Sequence, residues 1–492
     1  MTAIVWLRDD LRLDDQPALR AAAAQPALFV YVFDENPGRP FGGASRWWLG
    51  KSLTAFAKSL AHIGGRLDVV AGDPEAILPA LARQASAEAV YWTRRYGAAE
   101  IEKESRLAAA LRGLGVHPQS FNGQLLRDPE TVRTEAGAPY KVFTPFWRRC
   151  RELGPFDAPH AAPRKLHAAP WPFDAPPRVE IDDLAPQPTK PDWSSGLAQA
   201  WTPGEAGARA RLRRFLDEGL RDYAEARDHL AGETTSRLSP HLRFGEISPR
   251  RIAAATEAAA QGADAHRGAE KFLSELGWRE FSHALLRQQP NLATENWNPR
   301  FDAFPWRQDA TALETWRRGR TGYPVVDAGM RELWSTGYMH NRVRLIAGSF
   351  LTKHLGLDWR EGEAWFWDTL CDADEASNPA NWQWIAGCGA DAAPYFRVFN
   401  PMLQGEKFDP QGAYVRRWLP ELARLDARYL HAPWTAPASA LADAGVKLGR
   451  DYPAPIVDHA VARVRALAAF AQLDPTPPQR SPSARKTAKK AG

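Results

Sequence analysis

Residues 365–401 read WFWDTLCDADEASNPANWQWIAGCGADAAPYFRVFNP, and the rest of the chain is arranged around them. Asp372 and Asp374 stand one residue apart, followed by the amide Asn378 and the indoles Trp382 and Trp384. Asn378 and Trp382 are four residues apart, so a helix puts them on one face. The small-residue run 387–393 then permits close backbone approach. Read alone, the stretch also fits an irregular core turn with surface acids, because exposed acids are common.

Working outward, 492 residues exceed what one core ordinarily serves, and two or three domains are expected. No run approaches the ~18 apolar residues of a membrane span. The start, MTAIVWLRDD, lacks the basic-then-apolar pattern of a secretory signal. A cytoplasmic protein without membrane contact is expected. Cys150, Cys371 and Cys388 are scattered and odd in number. They offer neither a disulfide framework nor a zinc pattern, nor the thiolates of an all-cysteine iron–sulfur cluster, so no metal is expected. The net charge is +5, and the basic residues beyond Asp474 (Arg480, Arg485, Lys486, Lys489, Lys490) account for all of it. The body is therefore neutral, and any nucleic-acid surface on it must be a local patch.

Short β-rich runs at Ala3–Leu7, Leu28–Asp34, Leu67–Ala71, Ala89–Thr93 and Val116–Phe121 alternate with amphipathic segments near Ser45–His62, Pro74–Gln84 and Ala98–Leu114. That alternation predicts an α/β N-terminal domain over residues 1–130, a doubly wound parallel sheet with helices on both faces. Neither a dinucleotide fingerprint nor a P-loop follows the first strand; the run there is Arg8-Asp9-Asp10-Leu11-Arg12. Ten prolines between Pro155 and Pro191 mark a connector, placed at 131–200 and laid over the surface. Residues 201–474 carry helical signals such as Glu205–Tyr223, Pro249–Gln261, Ala265–Gln288, Val326–Thr336 and His340–Lys353, which predict a large all-α domain able to hold a cavity. The tail 475–492, rich in Pro, Ser, Ala and Lys, reads as disordered.

Several constellations fall in the helical part. Thr235, Ser236 and Ser239 place hydroxyls ahead of a helix start, where they suit phosphate or simple capping. Glu275, Trp278 and Arg279 share a helical face and suit a flat ring or a surface ion pair. Asn341 and Arg344 share a face from which Arg342 points away. No Ser–His–Asp, metal-ligand or paired general-acid set emerges. Aromatic, amide and arginine recur, which suits a large flat cofactor that carries the chemistry.

These residues add up to a resemblance. IVWLRDDLRLDDQPAL, TSRLSPHLRFGEISPR, WREF, GYPVVDAGMRELWSTGYMHNRVR and WQWIAGCGADAAPYFRVFNPMLQGEKFD resemble the DNA photolyase/cryptochrome family, and most closely its bacterial cyclobutane-dimer photolyases. The likeness covers nearly the whole chain except the tail and the Pro-rich connector. It implies an antenna domain followed by a helical domain that binds FAD. It also implies light-driven electron transfer from reduced FAD to a flipped-out pyrimidine dimer in UV-damaged DNA, a carbon–carbon lyase reaction carried out by a monomer.

Carried over residue by residue, the resemblance assigns Tyr223, Thr235, Ser236, Arg237, Leu238, Ser239 and Phe272 to the FAD cradle. Arg344, paired with Asp372, lies beside the flavin ring with Asp374, and Asn378 faces flavin N5. Trp382, Trp359 and Trp306 match the electron-transfer triad, from flavin to surface. Glu275, Trp278, Asn341, Leu345 and Trp384 match the lesion pocket, with Glu275 also stabilising developing charge. Arg227, Arg279, Arg342, Arg397 and Gln404 match or flank positions that grip DNA.

Some positions depart from the family pattern. Leu345 replaces a usual Met, keeping volume but losing a polarisable sulfur. Glu375 replaces a usual apolar residue after Asp374 and implies a flavin loop of altered contacts. With the tail, these motivate the alternative of a cryptochrome-like blue-light photoreceptor. The folate pair of some members reads here as Ala99-Glu100. The segment Gly42–Leu53, with Trp47 and Trp48, resembles members with a differently held antenna, and methenyltetrahydrofolate is favoured over deazaflavin or lumazine.

Overall fold

Strand β1 (Thr2–Leu7) sends Ala3, Val5 and Leu7 into one apolar layer and Ile4 and Trp6 into another. All five are buried. A strand covered on both faces belongs in a parallel sheet sandwiched by helices. The sheet order is β3 (Leu67–Ala71), β2 (Pro26–Phe33), β1, β4 (Ala87–Thr93), β5 (His117–Phe121). Every pairing is parallel, with Val5 opposite Phe29 on one side and Tyr91 on the other. Helices Pro17–Ala22 and Gly43–His62 cover one face, and Pro74–Gln84 and Ala98–Gly113 cover the other. The computed structural model describes residues 2–34, 38–185, 188, 190–392 and 396–473, and the expected disordered tail lies outside them.

The segment expected to be a connector is more than that. Its first part forms the helix Phe143–Glu152, whose apolar side packs on the long helix Ala263–Gln288. Phe146 meets Phe281 at 5.3 Å between ring centroids. The Pro-rich part does lie on the sheet domain: β6 (His167–Ala168) pairs with Pro26–Ala27, and the Val179 N–H donates to the Val69 carbonyl at 2.9 Å. The remaining residues form the helical domain around a core that includes Trp316, Trp359, Phe350 and Leu351. The expected helices Glu205–Tyr223 and His340–Lys353 are each interrupted by a wider π-helical turn, at Phe215–Gly219 and Phe350–Leu355.

The stretch after β1, where no phosphate fingerprint was found, clamps the two domains. The Arg12 guanidinium donates to the Gly245 carbonyl at 2.9 Å, and Asp9 pairs with Arg243 at 3.0 Å. Asp14 and Asp15 each take an arginine in bidentate fashion, Arg251 and Arg250. Gly245 has φ +63, and a Cβ there would lie 2.0 Å from the Asp9 carbonyl oxygen, so glycine alone allows this approach. Burial raises the pKa of the Asp15 carboxyl, but the Ser248 hydroxyl and Arg250 outweigh it and hold it below 3.8. A depressed carboxyl contributes stability above its unfolded pKa and loses it as pH falls through the folded value. Asp15→Asn is therefore expected to lower unfolding free energy by about 3 kcal/mol at neutral pH. In denaturant titrations across pH, the gap to wild type should close below 3.8.

Candidate functional site

The flavin-site residues taken from the sequence line one cavity of about 270 Å3 in the helical domain. Tyr223, the turn Thr235–Ser239 and Phe272 form one side; Arg344, Asp372, Asp374 and Asn378 form the other. Helical spacing accounts for the selection. The long helix presents Phe272, Glu275 and Arg279, and helix Ser377–Ala386 presents Asn378, Asn381, Trp382 and Ile385. In the turn, Arg237 has φ +50, unusual for a residue with a side chain, and its guanidinium lies over Trp201 and Tyr338 at 4.6 and 4.8 Å. Its Nε is buried without a partner.

Among the acids lining this cavity, Asp372 is the most heavily engaged. Arg344 donates to both of its oxygens, at 3.0 and 2.8 Å, and the Ser239 hydroxyl donates at 2.5 Å. The Arg344 Nε donates to the Met339 carbonyl at 2.7 Å, which fixes the fork. Burial disfavours the Arg344 charge, yet Asp372 more than offsets it and the guanidinium pKa is raised. Asp374 caps helix Ser377–Ala386 by accepting from the N–H groups of Ala376 and Ser377. The Asn378 amide donates to the Glu363 carboxylate at 2.8 Å and to the Glu363 carbonyl at 3.1 Å. Glu363 in turn takes a bidentate Arg39, from the sheet domain. Sequence reasoning missed Glu363; its only signal is an acid inside an apolar helix.

Trp382 lines the cavity, Trp359 is fully buried with its indole N–H on Asn296 at 2.9 Å, and Trp306 is partly exposed. Helices Trp359–Thr369 and Ser377–Ala386 touch through Gly362, where a Cβ would lie 2.1 Å from the Trp382 ring. The N–H of Arg307 donates to the Gly356 carbonyl at 2.8 Å, which holds Trp306 beside the segment leading to Trp359.

Glu275, Asn341 and Leu345 line the same cavity as the flavin-site residues. Trp278 and Trp384 do not line it. Trp278 turns to stack on Phe143 at 3.8 Å, a partner supplied by the helix inside the supposed connector. Trp384, two residues from Trp382 and so on another helical face, donates to the Asp391 carbonyl at 3.1 Å and borders a smaller hollow with Lys353 and Arg397. Arg227 is not an open cation: it pairs with Glu275, as Lys271 does at 3.1 Å. Arg342 pairs with Asp228 at 2.5 Å and lies over Phe408. Arg279 donates to the Gln124 carbonyl at 2.7 Å, and Gln404 is partly buried on helix Pro401–Phe408.

A second cavity, of about 490 Å3, lies between the domains. Glu375 points into it and not into the first, so the expected change in flavin contacts does not arise from this side chain. Ala99 and Glu100 line it, and Glu100 is held by Arg8 and Arg95. Trp47 and Trp48 do not line it. They are buried at the domain joint, where the Trp48 N–H donates to Glu246 at 3.0 Å and its ring meets Trp201 and Phe244. The two cavities share Arg279 and Asp374 as a partition.

Comparison with known proteins agrees with this geometry. The FAD binding domain of DNA photolyase matches residues 272–472, and DNA photolyase matches residues 3–165. A deoxyribodipyrimidine photo-lyase of Agrobacterium fabrum is 50% identical, with 96% of this chain and 98% of that protein covered. Cryptochrome-1 of Arabidopsis thaliana is 39% identical, with 96% and 70% covered. The crystal structure of a bacterial class III photolyase from Agrobacterium tumefaciens superposes with TM-score 0.92 at 49% identity, covering 96% and 97% of the two chains. At the site, Gly362→Ala is expected to destabilise the fold by about 1–3 kcal/mol, since the Trp382 ring must move; chemical denaturation with tryptophan fluorescence reads both effects.

Proposed function

The chain belongs to the DNA photolyase family, and we propose that it splits cyclobutane pyrimidine dimers in UV-damaged DNA, using light and a bound, reduced FAD. The observation that carries this reading is the single cavity that holds both the flavin-site residues and Glu275, Asn341 and Leu345. A lesion seated there meets the cofactor with no protein layer between them.

The residues present fit FAD. The hydroxyls of Thr235 and Ser236 beside the unpartnered Arg237 Nε suit a diphosphate, and Asp372, Asp374 and Asn378 offer carboxylates and an amide to the polar edge of a flat ring. When bound, FAD supplies light-driven transfer of one electron to the dimer and its return. The protein's share is to hold and insulate. Arg344 and Ser239 fix Asp372, and Glu363 fixes the Asn378 amide nitrogen, which would leave its carbonyl to accept from a bound ring. Glu275 would accept a hydrogen bond from a ring N–H of the flipped dimer, and the Arg227 and Lys271 cations paired with it would offset the negative charge that develops there. Trp382, Trp359 and Trp306 would offer a path along which electrons from an external reductant reach a bound cofactor. Trp278 and Trp384 act at the mouth, as stacking faces that rotate in once the lesion arrives. Arg279, Arg342, Arg397 and Gln404 contact the DNA backbone, where Arg342 exchanges Asp228 for a phosphate. Every group in this reading comes from one chain, so a monomer suffices. The work is placed in the cytoplasm, and no described helix is long and apolar enough to cross a membrane.

An antenna chromophore is placed in the interdomain cavity, with methenyltetrahydrofolate ahead of deazaflavin or lumazine. The photoreceptor alternative rests on Leu345, the Glu375–Asn381 loop and the tail; Glu375 lines the interdomain cavity, while Leu345 and Ser377 line the cavity of the flavin-site residues. Chemically reduced protein mixed with dimer-containing DNA should consume dimers under blue light and not in the dark; persistence of dimers under illumination contradicts the reading. Glu275→Ala should weaken binding of lesion DNA by about 1.5–3 kcal/mol, the worth of a hydrogen bond to a charged group, while affinity for undamaged DNA changes little.

A further inference from the structure

We propose that Asp391 is a positioning residue for both stacking tryptophans, holding Trp384 through its backbone carbonyl and Trp278, by way of Phe143, through its carboxylate. The proposal rests on the lesion-stacking reading above and adds the residue that sets where the two faces stand and makes them move as a pair.

The first tie starts from a helix that does not cap itself. Helix Phe143–Glu152 opens on Val142, whose side chain offers no acceptor to the first free N–H groups. The Asp391 carboxylate supplies one from across the fold, accepting from the Phe143 N–H at 3.2 Å. A negative charge at that end also meets the positive pole of the helix. The Phe143 ring lies on Trp278, with centroids 3.8 Å apart and planes 10° apart, and Phe281 meets both rings edge-on at 6.0 Å. Where Phe143 is pinned, the Trp278 ring is pinned with it.

The second tie leaves from the same residue. The Asp391 carbonyl accepts from the Trp384 indole N–H at 3.1 Å. Asp391 has φ +58, a left-handed conformation that residues with a side chain seldom adopt. The loop reaches this place by lying on the Trp384 backbone, for a Cβ at Gly389 would stand 2.6 Å from the Trp384 nitrogen. One strained residue thus reaches two tryptophans, and each hydrogen bond helps to keep the backbone that the other needs. Both tryptophans are only partly buried, so each keeps ring surface to offer to a base. Turning Trp384 toward the cavity breaks its bond to the carbonyl, lets Asp391 relax, and loosens Phe143 and Trp278 in the same event.

The test uses full-length, FAD-loaded protein carrying fluorotryptophan and kept in the dark. The fluorine resonances of Trp278 and Trp384 are assigned by their loss in Trp278→Phe and Trp384→Phe. Without DNA, Asp391→Ala should shift both resonances, because alanine has no carboxylate and no reason to keep the left-handed backbone. Asp391→Asn, whose amide oxygen still accepts and which tolerates that backbone, should return both to their wild-type positions. Trp384→Phe removes the indole N–H and leaves Asp391 intact; it should shift the Trp278 resonance, and should no longer do so when combined with Asp391→Ala. With dimer-containing DNA, Asp391→Ala should weaken binding about tenfold relative to undamaged DNA of the same sequence, the worth of one hydrogen bond. A Trp278 resonance that stays in place in both Asp391→Ala and Trp384→Phe overturns the proposal, as does a shift in Asp391→Ala that Asp391→Asn fails to reverse. If Asp391→Ala does not retain FAD, the response of Trp278 to Trp384→Phe decides alone. Coupled resonances with unchanged lesion affinity uphold the tie and remove the two tryptophans from lesion binding, so the two readings fail separately.

Discussion

A carboxylate taken out of water must be paired, and Asp372 is paired twice, by the Arg344 fork and by the Ser239 hydroxyl. That junction ties together the helix Asn341–Ser349, the turn before helix Ser239–Arg243 and the loop entering helix Ser377–Ala386. With Asp372 fixed, the next residues are fixed too. Asp374 caps the following helix and faces the flavin cavity, while Glu375 faces the space between the domains. Two neighbouring acids thus face two different cavities, and the partition between those cavities is a single layer of side chains.

The other constraint is the joint between domains. Asp14 and Asp15 hold arginines from the helical domain, and Gly245 lets the two backbones come together. The same joint carries Arg39 to Glu363, whose carboxylate orients Asn378. The sheet domain therefore reaches the cavity in the helical domain through a relay from the partly exposed Arg39 to the buried Glu363 and on to Asn378.

Much of this could be read from the sequence, and the rest could not for identifiable reasons. The strands fell within about two residues of their expected ends because residues of β1 alternate between two buried layers, which is a strictly local pattern. The Arg344–Asp372 pair and the residues lining the cavity were implied by the resemblance to the photolyase/cryptochrome family. The stacking of Trp278 on Phe143 could not be read, because Phe143 lies on a helix concealed in a segment that composition alone marked as a connector. Trp47 and Trp48 have the aromatic character of a chromophore wall, yet Glu246 and Trp201 claim them for the joint. Glu363 carries no local signal, since what makes it notable is a distant partner.

The central claim is that one cavity receives both the flavin and the lesion. The most direct measurement is the excited-state lifetime of the reduced flavin in the protein, with undamaged DNA and with DNA carrying a pyrimidine dimer. The account requires the lifetime to shorten only with the dimer, because electron transfer across direct contact opens a new decay path. An identical lifetime on both DNAs, with binding verified, contradicts it.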